Sequence, residues 1–168
     1  MLVSVIKGKV WKFGDNINTD LLMPGFTRGE TPQEMAAFCM RANRPEFARE
    51  VQPGDVIVGG KNFGCGSSRP AARNLITLGI SCVIAESFGR IFFRNSVNLG
   101  FPVLYCKGVY DAFEEEDILQ ANLHTGEVKN LTSGEVLQAE LLPDIVMRIL
   151  NAGGIVALLK EEYARSKE

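Results

Sequence analysis

Three short apolar runs, "DVIVGG" (55–60), "ISCVIAE" (80–86) and "FPVLYC" (101–106), are separated by two segments with helical character, and this alternation constrains the fold more than any other feature of the chain. Runs with almost no polar alternation suit strands covered on both faces. In the first intervening segment Ala71, Leu75 and Leu78 fall at offsets of four and seven, which puts them on one helical face, and Gly79 suits a left-handed cap after it. The second segment, "SFGRIFFRNSVNLG", reads as a helix closed by Gly100. Two successive strand–helix–strand crossovers require parallel strands with right-handed connections.

The flanks add antiparallel strands and more helix. "MLVSVIKGKVWKFGD" reads as a first strand. "TPQEMAAFCM" opens with the T-x-x-E spacing of a capping box, Thr31 to Glu34, with Pro32 at the first helical position. Met35, Phe38 and Cys39 are the expected buried stripe of that helix. Downstream, Thr125-Gly126 and Ser133-Gly134 punctuate alternating segments and predict a β-meander. "PDIVMRILNAGGIVALLKEEYARSKE" predicts two helices broken at Gly153-Gly154. The expectation is an α/β fold with a mainly parallel central βαβαβ unit plus antiparallel strands, as a single domain over residues 1–168.

Charge and cysteine usage exclude several functions. A net charge of -2 gives no basic field for nucleic acid or an anionic membrane. No apolar run approaches the roughly 20 residues of a membrane-spanning helix, and the start has no charged n-region or cleavage site, so the protein is expected to be cytoplasmic. Cys39, Cys65, Cys82 and Cys106 include no C-x-x-C pair, which argues against a self-contained metal site and against a disulfide framework. Cys82 and Cys106 lie in strand-like runs and are expected to be buried. The one histidine, His124, falls in an expected turn and suits a structural or solvated role better than a catalytic one.

"KNFGCGSSRPAARNLITLG", residues 61–79, carries the chemistry. A glycine-rich loop between a strand and a helix leaves backbone N–H groups at the positive end of the helix dipole, which suits an anion. Ser67 and Ser68 add hydroxyls, and Arg69 adds a planar fork suited to a carboxylate. Pro70 fits a first helical turn. Two readings stay open from spacing alone. In one the stretch is a carboxylate site; in the other Ser68 caps the helix, Arg69 is solvated and the glycines serve the turn. Neither nucleotide signature is met, since the order is not G-x-G-x-x-G and no G-K-[ST] follows. Arg90 and Arg94 stand four apart on one helical face, open to the site, to a partner or to solvent.

"GKNFGCGSSR", with "GDNINTDLLMPG" before it and "IAESFGRIFFRNSVNLGFPVL" after it, resembles the small subunit of 3-isopropylmalate dehydratase, the separately encoded counterpart of the aconitase swivel domain. The resemblance implies a swivelling β/β/α domain that closes over a large subunit carrying a [4Fe–4S] cluster on three cysteines, with no cofactor on this chain. It implies that Ser67 is the catalytic serine taking a proton from the carbon beside a carboxylate. By the same resemblance Arg69 grips a substrate carboxylate, Ser68 meets the substrate and Asp20 lies beside the active site. The loop "PGFTRGETP", 24–32, is implied to reach the variable group of the substrate, with Phe26 offering an apolar contact and Arg28 a cation. Pro70 and Ala71 depart from the acidic residue, often with histidine, that usually follows G-S-S-R. The substrate class implied is a malate-like di- or tricarboxylate. The favoured reaction interconverts 2-isopropylmalate and 3-isopropylmalate by dehydration and rehydration. Homoaconitate and 2,3-dimethylmalate dehydratases use the same architecture, and a non-catalytic carboxylate-binding swivel module is the alternative from another class.

Overall fold

A computed structural model describes residues 4–27 and 31–167. In chain order the elements are β1 (Val5–Phe13), α1 (Thr19–Leu22), a 3-10 turn (Gly25–Thr27), α2 (Pro32–Ala36), α3 (Phe47–Glu50), β2 (Val56–Gly59), α4 (Ala72–Thr77), β3 (Cys82–Ala85), α5 (Arg90–Asn98), β4 (Val103–Tyr105), α6 (Val109–Ala112), β5 (Ile118–Asn122), β6 (Glu127–Asn130), β7 (Val136–Gln138), α7 (Asp144–Asn151) and α8 (Ile155–Arg165).

One seven-stranded sheet runs in the order β4-β3-β2-β1-β5-β6-β7. The four strands from β4 to β1 are parallel, with Val10 opposite Val56, Ile57 opposite Val83 and Ile84 opposite Leu104. β5 pairs antiparallel with the other edge of β1, and β6 and β7 continue the meander. This is the parallel unit with added antiparallel strands that the apolar runs require.

The near-continuous runs are divided between two cores. Ile57, Val83, Ala85 and Val103 pack on one face with Leu75, Phe63 and Phe92. Val56, Val58, Cys82, Ile84 and Leu104 pack on the other with Val109, Phe113 and Leu119. Every residue of β2 and β3 is buried, so neither strand has a solvent face that would call for a polar residue. A buried carboxylate ties β1 to the turn before β2: the Trp11 indole N–H donates to Asp55 Oδ2 at 2.8 Å, and the Gln52 N–H donates to the same oxygen at 2.9 Å.

Two local expectations change. The capping box at Thr31 and Glu34 forms in full, but α2 stops after five residues. Met40 then turns left-handed at φ 61° and donates its N–H to the Leu21 carbonyl. The buried positions are therefore Ala36, Cys39 and Met40, while Met35 and Phe38 are only half-buried. Among the described residues, no helix is long and apolar enough to cross a membrane.

Candidate functional site

The 61–69 loop leaves the carboxyl end of β2 and is pinned from two sides. On one side the Asn16 N–H donates to the Lys61 carbonyl (2.7 Å), the Gly64 N–H to Ile17 (2.6 Å) and the Thr19 N–H to Cys65 (2.8 Å). On the other the Phe63 N–H donates to Ser87 (3.0 Å) and the Gly89 N–H to Phe63 (2.8 Å). All three motif blocks of the sequence thus meet at one loop. Phe63 anchors its start in a ring cluster, with centroids 5.6 Å from Phe92 and 6.3 Å from Phe88, contacts worth about 0.5–1.5 kcal/mol each beyond burial. Gly64, at φ +75°, lies flat on α5: a Cβ there would sit 2.1 Å from Phe92 Cγ.

This cradle presents Ser67 on the surface with its backbone and hydroxyl both held. The Ser67 N–H donates to Thr19 Oγ1 at 3.0 Å, and the two hydroxyl oxygens are also 3.0 Å apart. Thr19 is buried at 1% exposure, and Gly66 makes room for it, since a Cβ on Gly66 would stand 3.1 Å from Thr19 Oγ1. Thr19 lies inside the "NTD" of the first motif block, yet nothing local marks it, because its partner is 48 residues away.

Ser68 is exposed, and it does not cap α4: that helix begins at Ala72 with Ala71 as its N-cap and no side-chain cap. Nor does Pro70 occupy a first helical turn. It precedes the cap, and its carbonyl accepts the Arg73 N–H at 3.0 Å, while the Arg69 carbonyl accepts the Ala71 N–H at 2.8 Å. Two of the amides at the start of α4 are therefore already bonded, and Arg69 is the loop cation next to the two serines.

Arg69 is half-buried, and its Nη1 donates both to Asp20 Oδ1 and, at 3.1 Å, to the Met23 carbonyl. Asp20 sits in the first turn of α1, where Asn18, not Asp20, is the cap: Asn18 Oδ1 accepts the Leu21 N–H at 3.0 Å. The Asn74 side-chain amide donates to the Leu22 carbonyl at 2.8 Å and fastens α1 to α4, so Asp20 and Arg69 are positioned by one packed unit. A pocket of about 260 Å³ opens beside Arg69, lined by Met23, Pro24, Gly25, Thr27, Met35 and Pro70.

The other candidates are placed as follows. Arg28 lies outside the described residues; Phe26, two positions before it, is 71% exposed and meets Phe38 edge to face at 5.3 Å. Arg90 and Arg94 are exposed on α5, whose start packs on the motif loop through Gly89. His124 is exposed in the turn between β5 and β6. A larger cavity of about 540 Å³ lies between Ser4, His124, Arg148 and Leu158 and contains none of the motif residues.

Three of the four thiols, Cys39, Cys82 and Cys106, are buried. Burial pushes the Cys39 thiol far up, Cys82 to about 12 and Cys106 to about 11, which keeps these three protonated near neutral pH. Cys65 is half-buried in the motif loop, and among the described residues no three His, Cys, Asp or Glu side chains are grouped as a metal site.

A parallel sheet extended by a meander, with a serine–arginine loop stapled at its carboxyl edge, places the molecule in the aconitase swivel class. The Aconitase C-terminal domain family matches residues 15–107, which include the whole site. The small subunit of isopropylmalate/citramalate isomerase from Methanocaldococcus jannaschii is 53% identical, over 98% of this chain and 99% of its own length. 3-isopropylmalate dehydratase small subunit 1 from Methanopyrus kandleri is 51% identical, with 98% of each chain covered. The crystal structure of 3-isopropylmalate dehydratase (leuD) from M. jannaschii superimposes with a TM-score of 0.91 at 38% identity, covering 97% of this chain and 98% of that one. The chain belongs to the family of 3-isopropylmalate dehydratase small subunits.

Proposed function

We propose that this chain supplies the proton-transferring serine and the carboxylate-binding arginine of a hydro-lyase whose iron–sulfur cluster resides on a large subunit. Membership of the family supports a dehydratase complex built with such a partner. The observation that carries the finer reading is the joint placement of Ser67, exposed and doubly held by Thr19, and Arg69, the next residue but one, held by Asp20.

In the proposed reaction Arg69 takes one carboxylate of the malate-like substrate, exchanging part of its bonding to Asp20 for the substrate's two oxygens. Ser67 removes the proton from the carbon beside a carboxylate, and the C–H electron pair becomes the carbon–carbon double bond as the hydroxyl leaves the neighbouring carbon with the C–O pair. Rehydration with the opposite placement, the proton on the carbon that lost the hydroxyl and the hydroxyl on the carbon that lost the proton, moves the hydroxyl to the adjacent carbon. When bound, the partner's cluster supplies a Lewis acid for the departing hydroxyl. Ser68 is proposed to contact the same substrate, and Asp20 to orient Arg69.

Magnitudes support the reading of this site as half of a larger one. An alkyl hydroxyl is a far weaker acid than any ionisable side chain that titrates near neutral pH, so a working serine base requires strong stabilisation of its charged form. One cation about 4 Å away contributes about 1 kcal/mol in water and about 4 at an effective dielectric of 20. Arg69 on an exposed loop therefore falls well short. A dry interface and the partner's positive charge have to provide the rest.

For the substrate side chain, the pocket beside Arg69 joins a cation to Met23, Pro24 and Met35, a lining suited to a carboxylate with a short branched alkyl group. We infer that the substrate is an alkylmalate, with 2-isopropylmalate and 3-isopropylmalate as the favoured pair. The loop carrying Phe26 and Arg28 is proposed to complete the recognition of that group. The test is reconstitution with candidate large subunits under anaerobic conditions, screening 2-hydroxy diacids for an ultraviolet-absorbing unsaturated product. Turnover of the isopropylmalates by the complex, with none by the chain alone, is expected. Preference for a tricarboxylate such as homoaconitate would overturn the substrate reading.

A further inference from the structure

Thr19 bonds to the reacting oxygen of the proposed base and is itself screened from water. Resting on the reading of Ser67 as the proton-transferring group, we propose that Thr19 is a positioning residue that holds Ser67 by both its amide and its hydroxyl and donates the hydrogen bond that stabilises Ser67 once it is charged.

A threonine hydroxyl has one proton and two lone pairs. The Ser67 N–H takes one lone pair at 3.0 Å, and Ser67 Oγ lies 3.0 Å from the same oxygen. When Ser67 is neutral, either hydroxyl can be the donor. After Ser67 loses its proton, only Thr19 can donate, and the contact becomes an O–H···O⁻ bond of about twice the neutral strength. The contact is therefore selective: it favours the charged form over the neutral one. Burial sharpens the selection, because a hydrogen bond counts for more where water does not compete.

The surroundings fix Thr19 for this task. Its N–H donates to the Cys65 carbonyl at 2.8 Å, and its carbonyl accepts the Met23 N–H at 2.8 Å, so its backbone is bonded on both sides. Asn18 bridges Cys65 in parallel, which sets the register between the two segments. Gly66, at φ +109°, leaves the space beside Thr19 open, since a Cβ added there would stand 3.1 Å from Thr19 Oγ1, tight for a side-chain carbon. The proton balance is simple. The substrate C–H proton goes to Ser67 Oγ, the C–H electron pair passes into the carbon–carbon double bond as the neighbouring hydroxyl leaves, and Thr19 keeps its own proton throughout.

A purely structural threonine would act through its shape and methyl group, and the two roles separate by substitution. Thr19→Val keeps the β-branch and removes the hydroxyl; Thr19→Ser keeps the hydroxyl and removes the methyl. In the reconstituted two-subunit enzyme, Thr19→Val is expected to lower kcat by about 10²-fold, the scale of losing one donor to a developing anion, with KM little changed. The acid limb of its kcat–pH profile should move to higher pH, because Ser67 becomes harder to ionise. Thr19→Ser should restore both rate and limb, and Thr19→Val should have no further effect on top of Ser67→Ala. In the isolated chain, Thr19→Val should speed exchange of the Ser67 amide hydrogen, a readout that needs no activity. Wild-type kcat and pH profile in Thr19→Val would overturn the proposal, as would a Thr19→Ser variant as slow as Thr19→Val. If Thr19→Val shows no cooperative thermal transition, Thr19→Ser decides alone, and a displaced acid limb in that folded variant counts against the proposal. Near-normal turnover by Ser67→Ala would instead remove the reading of Ser67 on which the proposal stands.

Discussion

The Arg69 guanidinium rests against the α-carbon of Gly25, so closely that a Cβ at residue 25 would stand 3.0 Å from Nη2 and 3.3 Å from Cζ. The atoms approached belong to the far end of a flexible side chain, so the fold can accept an alanine while the guanidinium cannot keep its place. Gly25→Ala is expected to leave the thermal midpoint within a few degrees of wild type, since residue 25 does not require a left-handed backbone. KM for the dicarboxylate should rise several-fold as the fork is displaced. Steady-state kinetics with a parallel thermal scan checks it, and unchanged KM would mean that Arg69 is not held where the substrate binds.

Arg69→Lys keeps the charge and loses the two-pronged geometry. The expected outcome is a KM raised by at least about tenfold, with a smaller effect on kcat, because a lysine meets a carboxylate as a point charge. Asp20→Asn should give a milder version of the same change, as its partner is 32% exposed and the pair is partly screened. Equal effects on kcat and KM in Arg69→Lys would argue for a role in the transition state alone.

The thiols offer a chemical map of the same surface. Cys39, Cys82 and Cys106 are buried with raised pKa values, whereas Cys65 is half-buried in the motif loop. At pH 8 a disulfide reagent should label one thiol quickly in the native chain and the other three only on unfolding. Assembly with the large subunit should protect that one thiol. Fast labelling of two or more sites, or labelling unaffected by assembly, would contradict the placement of the loop at the interface.

The parallel strands were legible in the sequence because β2 and β3 are buried on both faces, and such strands show as unbroken apolar runs. The turns at Gly79, Gly100, Gly126 and Gly134 were legible because each takes a positive φ. The short helices α1, α3 and α6 were not, since four residues make about one turn and no periodicity. The stripe on α2 misled because the helix ends before the period repeats. Ser67, Ser68 and Arg69 stood out as residue types, but Thr19 did not: a threonine beside an asparagine reads as loop, and only the tertiary pairing across 48 residues gives it a role.

Acid stability depends in part on Asp117, whose Oδ2 accepts the Glu114 N–H at 2.8 Å and the Asn130 side-chain amide at 2.7 Å. The Glu114 N–H first, and then the Asn130 and Thr132 side chains, hold this carboxyl below the ordinary carboxylate range. A depressed folded pKa contributes stability that is present above the unfolded value of about 3.9 and is lost as pH falls through the folded value. Asp117→Asn is therefore expected to be about 1 kcal/mol less stable than wild type at pH 7, after allowance for its solvent exposure. The gap should narrow below pH 4. Urea titrations at both pH values check this, and a gap that widens in acid has the wrong sign.

The most direct measurement is kcat and KM for Ser67→Ala in the complex reconstituted with its large subunit and isopropylmalate. Loss of a proton-transferring group predicts a fall in kcat of about 10²–10⁴-fold with KM little changed and assembly intact. A folded, assembled Ser67→Ala complex that turns over at close to the wild-type rate would contradict the account.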